Sequence, residues 1–88
     1  MTAPVLTLIG KPGCHLCDDA RDVVTAVLAE IATASGPAVV LEEKSILDDA
    51  ALHERFVEEI PVVLINGAVH NYWRIDPVRL KTAILEAQ

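Results

Sequence analysis

Val5-Leu6-Thr7-Leu8-Ile9-Gly10-Lys11-Pro12-Gly13-Cys14-His15-Leu16-Cys17 is the stretch whose reading decides the fold. Its first five residues are an apolar, partly β-branched run ended by Gly10, the pattern of a buried central strand. Lys11-Pro12-Gly13 is turn chemistry. Beyond it Leu16, Ala20, Val23, Val24, Val27, Leu28 and Ile31 recur at three- and four-residue steps. Asp18, Asp19, Arg21, Asp22 and Glu30 fall mainly off that stripe, so an amphipathic helix follows the turn directly. Ser35-Gly36-Pro37 stops it with a flexible residue and a breaker. A second apolar run from Ala38 to Leu41 fades into Glu42-Glu43-Lys44. Strand, helix and strand in that order predict a βαβ unit with parallel strands and a right-handed crossover.

The remaining elements follow by the same rules. Asp48 is placed to cap a second helix carrying Leu52 and Phe56 at i, i+4. Val62 to Ile65 reads as a third strand, and Asn66-Gly67 as a hairpin turn whose two residues both take positive φ. Ala68 to about Tyr72 returns antiparallel. Asp76-Pro77 sets an N-cap ahead of a proline at the first position of a last helix, whose apolar side is Leu80, Ala83, Ile84 and Ala87. The predicted order is βαβαββα: an α/β chain with a four-stranded mixed sheet flanked by three helices on its two faces. Residues 1–88 contain no repeat, linker or low-complexity segment and read as a single domain.

Composition narrows the function classes. Of the residues, 52% are hydrophobic and 23% charged, as in a globular rather than a disordered chain. The net charge is −6 with no basic run, and there are only one Phe, one Tyr and one Trp. Nucleic acid and anionic membrane are therefore poor partners, since both demand clustered cations and single strands demand stacking platforms. No signal-peptide core and no run near the roughly 18 apolar residues of a spanning helix is found, so the expected setting is cytoplasmic. Two cysteines in one Cys-x-x-Cys do not make a secreted disulfide framework; in a reducing compartment such a pair is more often catalytic or metal-binding.

Cys14-His15-Leu16-Cys17 sits where the first strand hands over to the first helix. A helix N-terminus has unsatisfied N–H groups and about half a positive charge, both of which stabilise an anion. A thiolate at Cys14 is thus expected to form below the free-thiol pKa of about 8.5, with Lys11 adding positive charge and Asp18 and Asp19 opposing it. Cys17, one turn on, is near enough for a disulfide and more sheltered. Distinct roles follow: Cys14 attacks a substrate disulfide, and Cys17 then attacks Cys14 and releases the reduced product. The competing reading is a zinc site completed by His15, His53 or His70, although these are scattered rather than paired at ligand spacing. Ile60-Pro61 stands before a central strand, where proline is confined to the first residue. In the cis form it would turn the preceding backbone toward the cysteines, offering the N–H and C=O of Ile60 to an extended substrate; an ordinary trans proline is the alternative. His15, as an imidazolium, would favour the thiolate and make the pair more oxidising, or it is a neutral solvent-facing residue. Trp73 reads as core or rim packing. Arg74 either clamps a carboxylate of a thiol cofactor or faces Asp76 or Glu59. His53 and His70 read as surface residues.

The lysine before Cys14-x-x-Cys17, the later Ile60-Pro61 and the compact element order resemble the glutaredoxins over nearly the whole chain, nearest to glutaredoxin-like proteins with a Trp-Arg pair, here Trp73-Arg74. The resemblance implies a thioredoxin-like fold, a cis-proline at Pro61, Cys14 as nucleophile and Cys17 as resolving thiol. Together with the residue-level reading, the candidate substrate site draws on Lys11, His15, Ile60, Pro61 and Arg74. This chain departs from the family's Cys-Pro-Tyr-Cys in having His15-Leu16, and from its Thr-Val-Pro in having Glu59-Ile60-Pro61. Where the family places a Gly-Gly pair against glutathione, it carries Asn71-Tyr72-Trp73-Arg74-Ile75-Asp76.

The expected function is reduction of protein or low-molecular-weight disulfides by dithiol exchange. The electrons reside in the cysteine pair itself, with no bound metal or prosthetic group and with glutathione or another small thiol as a candidate donor. Two alternatives stay open: a redox-sensing or zinc-holding binding module without turnover, and a single-cysteine reductase of mixed disulfides with a small thiol. Oligomeric state is not legible.

Overall fold

The computed structural model describes residues 3–87. Its elements are β1 (Val5–Gly10), α1 (His15–Thr33), β2 (Val40–Ser45), α2 (Ala50–Phe56), β3 (Val62–Ile65), β4 (Ala68–Tyr72) and α3 (Pro77–Glu86). The strands form one mixed sheet in the order β2-β1-β3-β4. β1 runs parallel to β2 and antiparallel to β3, and β3 pairs antiparallel with β4.

The period of two along β1 divides the core between the two faces of the sheet. Leu6 and Leu8 point to one face, where they meet Ala20, Val24, Val27 and Ile31 of α1 and Leu80 and Ile84 of α3. Ile9 points to the other and packs with Ile46, Phe56 and Val62. Burying each of these aliphatic side chains contributes about 1.5–3 kcal/mol, which is why the central strand is apolar on both sides.

Local signals set most element ends. Asp76 accepts from the N–H groups of Val78 and Arg79 at 2.9 and 3.1 Å, with Pro77 at the start of α3. Asn66 and Gly67 take φ of 50° and 85°, as the hairpin requires. Three ends differ from expectation. The second strand covers residues 40–45 rather than 38–41 and is exposed along most of its length. As an edge strand it is held by main-chain pairing to β1 and needs no continuous apolar run. The cap of α2 is Asp49 and not Asp48: its Oδ1 accepts from Ala51 and Leu52 at 2.9 and 3.2 Å. At the end of α1 the left-handed residue is Ser35 (φ 58°) rather than Gly36. Gly36 is needed for proximity instead, because its N–H reaches the Ile31 carbonyl at 2.8 Å and a Cβ there would lie 2.9 Å from that oxygen.

Gly10 has a similar steric role. A Cβ at this position would lie 2.9 Å from the Cys17 sulfur and 3.1 Å from its Cβ. Glycine at the end of β1 therefore lets the first turn of α1 approach the sheet. Gly10→Ala should destabilise the protein by about 1–3 kcal/mol through overpacking; an unchanged denaturant midpoint would show that the turn yields freely.

His70, on edge strand β4, is half-buried rather than a surface residue, and its Nε2 is buried without a hydrogen-bond partner among the described residues. Burial, reinforced by the charge of Arg79, holds its pKa below the ordinary value. The unfolded chain then binds a proton more readily, so stability is fully present above the unfolded pKa of roughly 6.5 and declines as pH falls below it. Thermal midpoints compared at neutral and mildly acidic pH should fall further for the wild type than for His70→Gln. Equal slopes would contradict the assignment.

Candidate functional site

One end of the sheet collects the chemistry-bearing residues. β1 leads into the turn at Pro12 and Gly13, where Gly13 takes φ 77°, and from there into Cys14. The register opposes Ile9 with Val62, so Pro61 lies one residue further toward the cysteine turn. It also opposes Val62 with Tyr72, so Trp73 emerges at that same end. Three chain reversals, at residues 11–14, 58–61 and 73–76, therefore border one region.

Cys14 is the N-cap of α1, extended at φ −100° and ψ 113°. Its Sγ accepts a hydrogen bond from the main-chain N–H of Cys17 at 3.2 Å, the interaction a serine or aspartate oxygen makes at an ordinary N-cap. Cys14 and Cys17 form a disulfide, with Cα atoms 5.2 Å apart. Cys14 is half-buried, whereas Cys17 is 2% exposed. Cys14 is thus the more solvent-accessible of the two.

Two clefts flank the pair. One, of about 430 Å³, is bordered by Gly10, Lys11, Cys17, Arg21, Glu43 and Asp48 among others. Arg21 spans it, donating from Nε to Glu43 at 2.6 Å and from a terminal nitrogen to Asp18 at 3.1 Å. Glu43 first and Asp18 second raise the Arg21 pKa further. Part of the negative charge following Cys17 is therefore neutralised in place. The other side is an open groove of about 470 Å³ lined by Leu16, Tyr72, Trp73 and Arg74.

The remaining candidates divide. Lys11 borders the first cleft and is exposed. His15 is the first residue of α1 and exposed, without a hydrogen bond or ion pair among the described residues. The Ile60–Pro61 peptide is cis, with Pro61 fully buried. The N–H of Ile60, expected to be free for substrate, is instead donated to the Phe56 carbonyl at 3.1 Å, closing the end of α2. The Pro61 carbonyl accepts from the Trp73 N–H at 2.8 Å. Trp73 is not a core residue: it is 51% exposed, with φ 63°. Arg74 is exposed and pairs with neither Glu59 nor Asp76. His15, His53 and His70 do not converge with the cysteines; among the described residues no three His, Cys, Asp or Glu side chains are grouped to hold a metal ion. No helix among those residues is long and apolar enough to cross a membrane.

Sequence reasoning missed one residue that shapes this region and the backbone of another. Gly10 was read only as a strand end, although a glycine just ahead of a Cys-x-x-Cys turn is a sign of close approach. Trp73, expected in the core or at the rim, lies at the rim; its left-handed backbone gave no signal, because a tryptophan is not expected in that region, where a non-glycine residue costs about 1–3 kcal/mol.

Residues 5–85 match the family described as Glutaredoxin-like domain (DUF836). Among curated proteins, Uncharacterized protein Rv0508 of Mycobacterium tuberculosis is 29% identical over 87 residues, covering 96% of this chain and 86% of the relative. Among solved structures, target protein XcR50 from X. campestris superposes with a TM-score of 0.72 at 28% identity, covering 94% of this chain and 99% of that one. Mitochondrial thioredoxin 3 from Saccharomyces cerevisiae, in its oxidized form, gives 0.66 at 13% identity, with 98% and 80% covered. At that identity the likeness concerns the fold alone, which is thioredoxin-like. With nearly its whole length matched and a Cys-x-x-Cys pair at the start of α1, the chain belongs to the glutaredoxin-like domain (DUF836) family.

Proposed function

We propose that this protein is a thiol–disulfide oxidoreductase that reduces protein or low-molecular-weight disulfides by dithiol exchange in a reducing compartment such as the cytoplasm. The observation that carries the reading is the asymmetry of the pair: a half-buried Cys14 capping α1 and a buried Cys17 behind it. When the pair is reduced, the N–H that reaches the Cys14 sulfur, together with the helix N-terminus, favours a thiolate there.

The cycle balances within the two sulfurs. The Cys14 thiolate attacks one sulfur of the substrate disulfide, forming a mixed disulfide and expelling the first substrate thiolate. Cys17, deprotonated to its thiolate, attacks the Cys14 sulfur and expels the second. Each leaving thiolate takes a proton from solvent, the substrate gains two electrons, and the Cys14–Cys17 disulfide remains. Two equivalents of a small thiol, glutathione or another, return the pair to the dithiol and leave joined as their own disulfide. In this reading Lys11 supplies positive charge near the reacting sulfurs, His15 stands exposed beside Cys14 at the start of α1, and Arg74 meets a substrate carboxylate. The Ile60 carbonyl borders the substrate backbone, Pro61, being buried, sets the cis turn from beneath, and the Ile60 N–H, already engaged, takes no part.

With the donor thiol supplied, Cys14→Ser should lower disulfide reduction to the rate of the donor alone. Cys17→Ser should accumulate a covalent adduct with the substrate, visible by intact mass and released by excess thiol. Full turnover by Cys14→Ser would contradict the assignment. Full turnover on a protein disulfide by Cys17→Ser would replace it with single-cysteine chemistry.

A further inference from the structure

Of the three aromatic residues, Phe56 lies in the core, while Tyr72 and Trp73 are 43% and 51% exposed beside the cysteine turn. The two rings meet edge to face, with centroids 4.9 Å apart and planes at 87°. The indole is fixed despite its exposure. Its Nε1 donates to the Glu58 carbonyl at 3.1 Å, and the Trp73 main-chain N–H donates to the Pro61 carbonyl at 2.8 Å. Its backbone stands in the left-handed region, where glycine would fit without cost. A bulky, half-exposed residue standing at such a position points to a use for its surface. Leu16, itself between the two cysteines, completes the apolar floor of the groove with these rings, and Arg74 stands at its rim. Asp19 borders only the smaller adjoining cleft and does not pair with Arg74, so the rim of the groove proper is cationic on a chain of net charge −6.

Resting on the oxidoreductase reading, we infer that this groove selects the substrate: it receives an extended polypeptide segment next to the substrate's disulfide, with an apolar side chain against Leu16, Tyr72 and Trp73 and a carboxylate toward Arg74. Continuity with the cysteine turn supports this occupant, because anything seated on Leu16 is held alongside Cys14. The charge of the Arg74 guanidinium, which has no ion pair among the described residues, supports it as well. Glutathione could satisfy Arg74 but has no apolar side chain to cover the two rings. The groove therefore favours a protein disulfide over a small one.

The test uses the full chain, pre-reduced and mixed with disulfide peptides in single turnover, so that no donor is needed. Two peptides differ only beside the cystine, one with Leu-Glu and the other with Gly-Lys; glutathione disulfide is a third substrate. The readout is the ratio of second-order rate constants within each variant, which a partial loss of folded protein does not move. The wild type should oxidise at least about tenfold faster with the Leu-Glu peptide, a span that apolar and charge contacts of this kind supply. Trp73→Ala should bring the ratio within about twofold, Trp73→Phe should keep most of it, and Arg74→Gln should remove only the part due to Glu. The inference is overturned by equal rates for the two peptides, by a preference that survives Trp73→Ala, or by faster reaction with glutathione disulfide than with the Leu-Glu peptide. Self-association that Trp73→Ala abolishes would also overturn it, assigning the groove to a second copy of the chain. No oxidation by any of the three substrates would defeat the oxidoreductase reading itself and this inference with it.

Discussion

The hydrogen bond from the Cys17 N–H to the Cys14 sulfur is the constraint on which the site depends. It makes a sulfur atom the cap of the first helix, at the place where the helix has unsatisfied donors that favour an anion. Several features of the chain serve that contact. β1 must end at Gly10, where a side chain would press on the Cys17 sulfur, and Gly13 must take a positive φ to bring Cys14 round to the helix start. The apolar stripe of α1, from Ala20 to Ile31, holds the helix on the sheet and so fixes the end that carries the sulfur.

Sheet order does the rest. With β1 central and β3 antiparallel beside it, the start of β3 and the end of β4 arrive at the edge from which the cysteine turn emerges. The peptide N–H of Trp73 and the carbonyl of Pro61 then tie these two reversals together. On the opposite flank, Arg21 bridges α1 and β2 through Asp18 and Glu43. All three side chains are largely exposed, so this network orders charge near the pair more than it stabilises the fold. The two flanks consequently differ in kind, charged and compensated beside Cys17, apolar with a single cation beside Leu16.

What was legible in the sequence was what local physics dictates. The stripe of α1, the Asn66-Gly67 turn and the Asp76-Pro77 helix start are each set by nearest neighbours, and all appear where expected. β2 was displaced because an edge strand is held by main-chain pairing to β1, which leaves no hydrophobic imprint on Val40–Ser45. Asp48 and Asp49 are chemically equivalent as caps, and only the path of the chain after β2 chooses between them. At the site, the cysteine pair was legible because its chemistry is local. The engagement of the Ile60 N–H, the space left by Gly10 and the left-handed Trp73 were not, since each depends on a segment brought near by the tertiary fold.

Whether Cys14 and Cys17 form a reversible two-electron couple is decided by titrating the 88-residue chain in defined thiol–disulfide buffers and counting free thiols by mass after alkylation. The account predicts a single reversible transition in which both thiols disappear together, with a midpoint between about −180 and −270 mV, the range of working oxidoreductases. A pair that never closes across that range, or loses its thiols one at a time to separate adducts, would contradict it.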